Sequence, residues 1–257
     1  MLQKYSILVL LFFLSASAVS AMNQVPDSTS FLKDSLKATV QKATCRESDY
    51  VKQTIVPAAL ATMSLGIMAV PDLKNRIQEQ LNWNATEQVN LFDDELRYVP
   101  MGAVALISLT GLKGKHKMLE EVIVGGVSYV LADFIVYRTK QVTQVTRPNP
   151  EYGKTSFPSQ HASMAFVGAT LLDREFGYLS PWISVGGYGI ATWVAYARIA
   201  RNRHYLPDVL MGSAVGIFST NATFWIFDAM APKLKNRLRC SPKLTKNGGE
   251  LSLSYLF

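Results

Sequence analysis

ARIARNRHYLPDVLMGSAVGIFST, residues 197–220, joins two apolar stretches that carry no Asp, Glu, Lys or Arg, Phe176 to Ala197 and Val209 to Phe227. A helix from about residue 179 ends near Arg198, and the next begins at Pro207, because proline is welcome in a first helical turn. Asp208 then sits in that first turn. Two more clusters lie at segment ends in the same way. Lys140 to Arg147-Pro148 follows a helix over about 120–140, and Phe157-Pro158-Ser159-Gln160-His161-Ala162-Ser163 opens a helix beginning near Ser156. Ends and starts alternate, so an up-down bundle brings all three clusters to one face. The expected fold is all-α, an up-down bundle of about five to six core helices.

Working outward, further uncharged runs extend from Gln53 to Pro71, Tyr98 to Leu112 and Thr155 to Leu172, while Val122 to Tyr137 is interrupted by Asp133 alone. A spanning helix needs about 20 apolar residues, and only some of these runs reach that. Gly125-Gly126, Gly186-Gly187 and Gly212 to Gly216 supply the small residues that let helices approach closely in a bilayer. The bundle is therefore expected to be membrane-embedded, with a soluble all-helical protein as the competing reading. Asp133 should face the bundle interior.

The three clusters carry a definite chemistry. Lys140, Arg147 and Arg198 are fixed cations suited to an anion the size of phosphate. The helix start at Ser159 and Gln160 adds free backbone N–H donors and the positive end of the dipole. Beside such an anion, two histidines can divide the labour, one attacking phosphorus and the other protonating the leaving oxygen. Asp208, four residues past His204, can accept its ring N–H and leave the opposite nitrogen unprotonated. The chain has only three histidines, His116, His161 and His204, so any histidine chemistry must use these.

In this arrangement the chain resembles the type 2 phosphatidic acid phosphatase and vanadium haloperoxidase superfamily. That pattern is Lys, six residues, Arg-Pro; then Pro-Ser-Gly-His; then Ser-Arg, five residues, His, three residues, Asp. The chain reads Lys140 with Arg147-Pro148, Pro158-Ser159-Gln160-His161, and Ala197-Arg198 with His204 and Asp208, the resemblance covering residues 95–230 or so. It implies metal-independent hydrolysis of a phosphomonoester or pyrophosphate through a phosphohistidine, with no cofactor. It makes His204 the nucleophile, Asp208 its orienter and His161 the general acid, while Lys140, Arg147, Arg198, Ser159 and the backbone N–H of Gln160 bind phosphate. Two positions depart from the pattern. Gln160 stands for glycine and projects a side chain that is expected near the phosphate site, and Ala197 stands for serine, removing a hydroxyl that proton transfer does not need.

The chain has 257 residues, 49% of them hydrophobic and 18% charged, which excludes a disordered or fibrous protein. Two cysteines, Cys45 and Cys240, exclude a disulfide-rich scaffold, and whether they bridge or stay free is open. A net charge of +7 is modest and lies largely in the clusters and the tail, so no nucleic-acid partner is expected. Residues 1–21 read as a signal peptide, with Lys4, an apolar run from Ile7 to Leu14, and a small-residue cleavage region ending at Ala21. Residues 22–50 read as a polar linker or peripheral helix, 51–232 as the helical domain and 233–257 as a basic tail. The period-2 ending from Leu251 to Phe257 resembles one outer-membrane strand, which alone makes no barrel. Asn84-Ala85-Thr86 and Asn221-Ala222-Thr223 match the glycosylation triplet, the second inside an expected helix.

Lys113 to Lys117 and the basic tail from Lys233 to Arg239 favour the cytoplasm, which puts the catalytic face outside it, in the cell envelope. That topology requires Tyr98 to Leu112 not to span. The leading function is a membrane phosphatase acting on a lipid-linked phosphate or pyrophosphate. The rivals are a soluble secreted acid phosphatase, a vanadate-dependent haloperoxidase and a non-catalytic phosphate binder. Oligomeric state is not legible.

Overall fold

The computed structural model describes residues 50–81, 92–245 and 248–255, with side chains described as far as Met230. The expected signal peptide, nearly all of the linker, Cys45, the Cys240 side chain, the Asn84 triplet and the side chains of the basic tail lie outside the described residues. The elements are α1 (Tyr50–Met68), α2 (Pro71–Leu81), α3 (Asp93–Leu96), α4 (Val99–Leu109), α5 (Met118–Thr143), a 3-10 turn (Pro150–Tyr152), α6 (Gln160–Phe176), α7 (Pro181–Ala200) and α8 (Leu206–Arg237). Two antiparallel strands follow, β1 (Leu238–Thr245) and β2 (Gly248–Tyr255). The fold is thus the expected all-α bundle, and over the residues read as a basic tail α8 continues to Arg237 and a short hairpin follows.

The helix ends fall close to their expected positions, with one instructive shift. α6 starts at Gln160, not near Ser156, because Ser159 is its N-cap and accepts from the N–H of Ala162. α6 is the central helix. It packs against α4, α5, α7 and α8, and α8 also packs against α5. Most of its length is buried, including Ala162, Ala165, Val167, Ala169 and Leu171.

The paired glycines sort by face. A Cβ on Gly212 would lie 2.3 Å from the Ser159 carbonyl oxygen, and one on Gly216 2.4 Å from that of Ser163, so α8 meets α6 backbone to backbone. Gly125 and Gly187 also face α6, against Leu171 and Leu172, while Gly126 and Gly186 have nothing within 4 Å.

The outer surface is strongly apolar. α1 and α8 contain stretches long and apolar enough to cross a bilayer. On α5, Leu119, Val122, Val127, Val130, Phe134 and Tyr137 form an exposed stripe, while Val124, Gly125, Ser128, Ala132 and Val136 face inward. Trp182, Val185 and Trp193 extend the apolar surface across α7. Patches of this extent are a liability in water and the ordinary condition in lipid. α4, with 11 residues, is too short to span and buries Pro100 and Val104 against the bundle, as the topology required. Asn221 is buried and donates to the Gln53 carbonyl, which leaves it inaccessible to a glycan.

A second polar network closes the opposite end. His116, in the loop before α5, places Nδ1 2.7 Å from Glu175 Oε1 on α6 and Nε2 3.1 Å from Asp228 Oδ1 on α8. The Asp228 and Glu175 carboxylates push His116 up to about 10, so it is charged at neutral pH and ties three elements together. α5 then carries the chain about 39 Å, at 1.5 Å per residue, from this end to the face that holds the three clusters.

Gly212→Ala should lower the melting temperature in detergent. Overpacking against a carbonyl costs about 1–3 kcal/mol, which exceeds the roughly 1 kcal/mol gained in helix propensity. Gly186→Ala, with open space around it, should leave the melting temperature unchanged or raise it. The reverse order would contradict the assigned faces.

Candidate active site

The face holding the three clusters is organised around Asp208, which is fully buried in the first turn of α8. Its Oδ2 accepts from the Ser156 hydroxyl and from the backbone N–H of Tyr205 at 2.9 Å. Its backbone carbonyl accepts from the N–H of Ser159 at 2.8 Å, locking the start of α6 to the start of α8. The same loop collects the first cluster. Lys140 Nζ donates to the carbonyls of Thr155 and Ser156, and Arg147 Nη2 lies 3.4 Å from Thr155 Oγ1.

His204 lies in the turn between α7 and α8 and is 2% exposed. Its Nδ1 is 3.5 Å from Asp208 Oδ2, within ion-pair range but longer than a hydrogen bond, a looser contact than the spacing led one to expect. Burial pushes His204 down to about 4, with Lys140 and Arg198 acting in the same direction and Asp208 opposing them. The ring is therefore neutral at neutral pH. Burial, and then the Arg198 and Arg203 guanidiniums, likewise lower the proton affinity of Arg147. Among the described residues, the buried polar atoms without a hydrogen-bond partner include Arg147 Nε, Arg198 Nε, His204 Nδ1 and Asp208 Oδ1. Native interiors leave few such atoms, and here several share one site.

Gln160 behaves differently from expectation. Its side chain turns sideways, and Nε2 donates to Asp133 Oδ1 on α5 at 2.5 Å. This satisfies one oxygen of the Asp133 carboxylate and leaves the amide pinned to α5. Asp133 does turn inward, half-buried, as its position in an apolar run required.

The largest omission from the sequence reading is α3. Asp93 is fully buried and holds Arg198 Nη1 at 2.6 Å through Oδ2, while Oδ1 takes Arg201. Burial raises the Asp93 carboxyl, but these guanidiniums outweigh it and hold the group below its ordinary value. Asp94 Oδ1 lies 2.6 Å from His161 Nε2 and 3.6 Å from Arg198 Nη1, and Arg97 Nη1 lies 2.7 Å from the same His161 nitrogen. The available signal was indirect. An arginine buried at a helix end needs a counter-charge, and Asp93-Asp94 is an acidic pair in the stretch before the clusters. Asp93, Asp94 and His161 each offer one ligand atom within 4.8 Å of the others, yet both Asp93 oxygens are already engaged by guanidinium groups.

Residues 122–231 match the model of the PAP2 superfamily. Over 137 residues, 53% of the chain, the sequence is 36% identical to a lipid A 1-phosphatase of Porphyromonas gingivalis, and the match spans 31% of that protein. The chain thus spans about a third of the curated relative it matches. Two crystal structures are also similar. LpxE of Aquifex aeolicus has a TM-score of 0.48 and 22% identity, covering 58% of this chain and 93% of that one. A transmembrane PAP2-type phosphatidylglycerolphosphate phosphatase of Bacillus subtilis has a TM-score of 0.41 and 18% identity, covering 70% and 96%. The matched segment contains all eight site residues expected from sequence, and α3 lies outside it.

Asp93→Ala should destabilise the fold by about 3–5 kcal/mol, because it leaves Arg198 buried without its partner. Asp94→Ala, at a more exposed pair, should cost about 1 kcal/mol or less. Chemical denaturation of both variants in detergent distinguishes the two. Equal losses would contradict the division of labour within α3.

Proposed function

We propose that the chain is a membrane phosphatase that hydrolyses a lipid-linked phosphomonoester or pyrophosphate through a phosphohistidine on His204. The observation that carries this reading is the convergence of Lys140, Arg147, Arg198, His161, His204 and Asp208 at one end of a lipid-facing bundle. The relative named lipid A 1-phosphatase supports a lipid phosphate as the substrate class.

In this mechanism the cations and the backbone donors at the start of α6 hold the phosphoryl group. His204 presents Nδ1 towards Asp208, which leaves Nε2 for phosphorus. As the new P–N bond forms, the P–O bond breaks and its electron pair goes to the leaving oxygen, which takes a proton from His161. Water then attacks the phosphohistidine, gives a proton back to His161 and releases phosphate.

The acyl chains have a place to lie. A groove of about 990 Å³ lies among α1, α2, α6, α7 and α8, its apolar lining including Val56, Leu60, Phe166, Ile199, Leu206 and Ile217. Ile199 and Leu206 put one end of it beside the turn that holds His204. The loop with Lys113, Lys115 and Lys117 lies at the opposite end of α5 and belongs in the cytoplasm under the positive-inside rule, so the catalytic face is extracytoplasmic.

Two measurements test this function. Phosphate release from a lipid phosphate should persist in excess EDTA, because the cations neutralise the phosphoryl charge without metal. Complete loss restored by magnesium would remove the mechanism. His204→Ala should be inactive on every substrate, since no covalent intermediate forms without it. His161→Ala should lose about 10²–10⁴-fold in kcat/KM on an alkyl phosphate but far less on an aryl phosphate, whose leaving group departs without a proton. An equal loss on both substrates would remove His161 from the acid role.

A further inference from the structure

His161 Nε2 has two neighbours of opposite character at hydrogen-bond distance, Asp94 Oδ1 at 2.6 Å and Arg97 Nη1 at 2.7 Å. A ring nitrogen carries either a hydrogen or a lone pair, so it donates to Asp94 or accepts from Arg97 but cannot do both at once. An acid catalyst must begin the reaction with the hydrogen in place. Its surroundings oppose that: burial first, and then the permanent positive charges of Arg198 from α7 and of Arg97, the residue that follows α3, push the ring down to about 3, while Asp94 pulls the other way. Asp93, the other carboxylate nearby, is engaged by Arg198 and Arg201. Asp94 is therefore the carboxylate in direct contact with the ring among the described residues.

The contact also has the right direction. The Asp94 oxygen that meets Nε2 is 3.6 Å from Arg198 Nη1, so Nε2 is the nitrogen on the side of the anion-binding cations. α3 lies outside residues 122–231, so this contact comes from outside the segment that carries the family match.

We propose that Asp94 is a positioning residue for His161, its Oδ1 accepting the Nε2 hydrogen and thereby selecting the ring state that donates over the state that accepts from Arg97. The proposal rests on the phosphatase reading above. During turnover the ring begins as the imidazolium, with hydrogens on both nitrogens; its Nε2 hydrogen passes to the leaving oxygen as the P–O bond breaks, and the neutral ring, now an acceptor at Nε2, turns its lone pair to Arg97. The water that hydrolyses the phosphohistidine restores the hydrogen, and Asp94 takes it up again as a hydrogen-bond acceptor.

The test uses the full chain in detergent micelles with two probes, a dialkylglycerol phosphate and p-nitrophenyl phosphate. Asp94→Asn should lose about 10²-fold in kcat/KM on the alkyl probe and under about threefold on the aryl probe. Its alkaline limb on the alkyl probe should move to lower pH, and Asp94→Glu should recover most of the loss. In a His161→Ala background, Asp94→Asn should change neither rate. Equal losses on both probes, a further loss in that background, or faster turnover with tighter inhibition by inorganic phosphate would overturn the proposal; the last is the result if Asp94 merely occupies the anion subsite. A second readout needs no turnover. With ¹⁵N-labelled histidine, the Nε2–H signal that His161→Ala removes should weaken in Asp94→Asn, and an unchanged signal overturns the proposal. If the wild-type chain releases phosphate from neither probe, the phosphatase reading fails, and the histidine signal still decides the role of Asp94.

Discussion

The N–H of Ser159 donates to the carbonyl of Asp208, and Gly212, one turn further along α8, leaves room for the Ser159 carbonyl to approach. These contacts hold the starts of two helices against each other, and the site is built from what they carry. α6 brings His161 on its first turn, and α8 brings Asp208 on its own. The turn before α8 brings His204, whose N–H donates to the carbonyl of Arg198 at the end of α7. A side chain at Gly212 would separate the two helices and move the histidines apart. The small residues are needed where α6 and α8 meet backbone to backbone and where α5 and α7 press on α6.

Burying so many cations at one end of an apolar helical bundle is costly unless each has a partner. Asp93 answers for Arg198 and Arg201, while the carbonyls of Thr155 and Ser156 answer for Lys140. What remains, including the unpartnered Nε atoms of Arg147 and Arg198, is the donor surplus expected of a site that receives an anion. The opposite end has the complementary solution, a charged His116 held between Glu175 and Asp228. α6 and α8 are thus fastened at both ends by polar contacts and along their length by close packing.

The bundle was legible because charge-free runs alternate with charged ends, and the bounds of α5, α7 and α8 fall within a few residues of where proline, glycine and charge placed them. The convergence of the three clusters at one face was legible because they sit at alternating helix ends. α3 was not, since four helical residues give no periodicity and its acidic pair gains meaning only when Arg198 and His161 are placed beside it. The direction of Gln160 was hidden for the same reason. Its partner Asp133 lies 27 positions away on another helix, and only the packing of α5 against α6 brings them together. The C-terminal hairpin was present in the sequence as a period-2 ending that one strand alone could not make meaningful.

The central proposal is that the converged cations and histidines form a covalent phosphoryl site centred on His204. It is tested most directly by trapping. The chain is mixed with a lipid phosphate, quenched in alkali within the first turnover, digested and sequenced by mass spectrometry. The account predicts a phosphoryl group on the peptide that contains His204, stable in alkali and lost in acid. A turnover-competent chain whose phosphoryl group appears on another residue, or on none while water attacks directly, would contradict it.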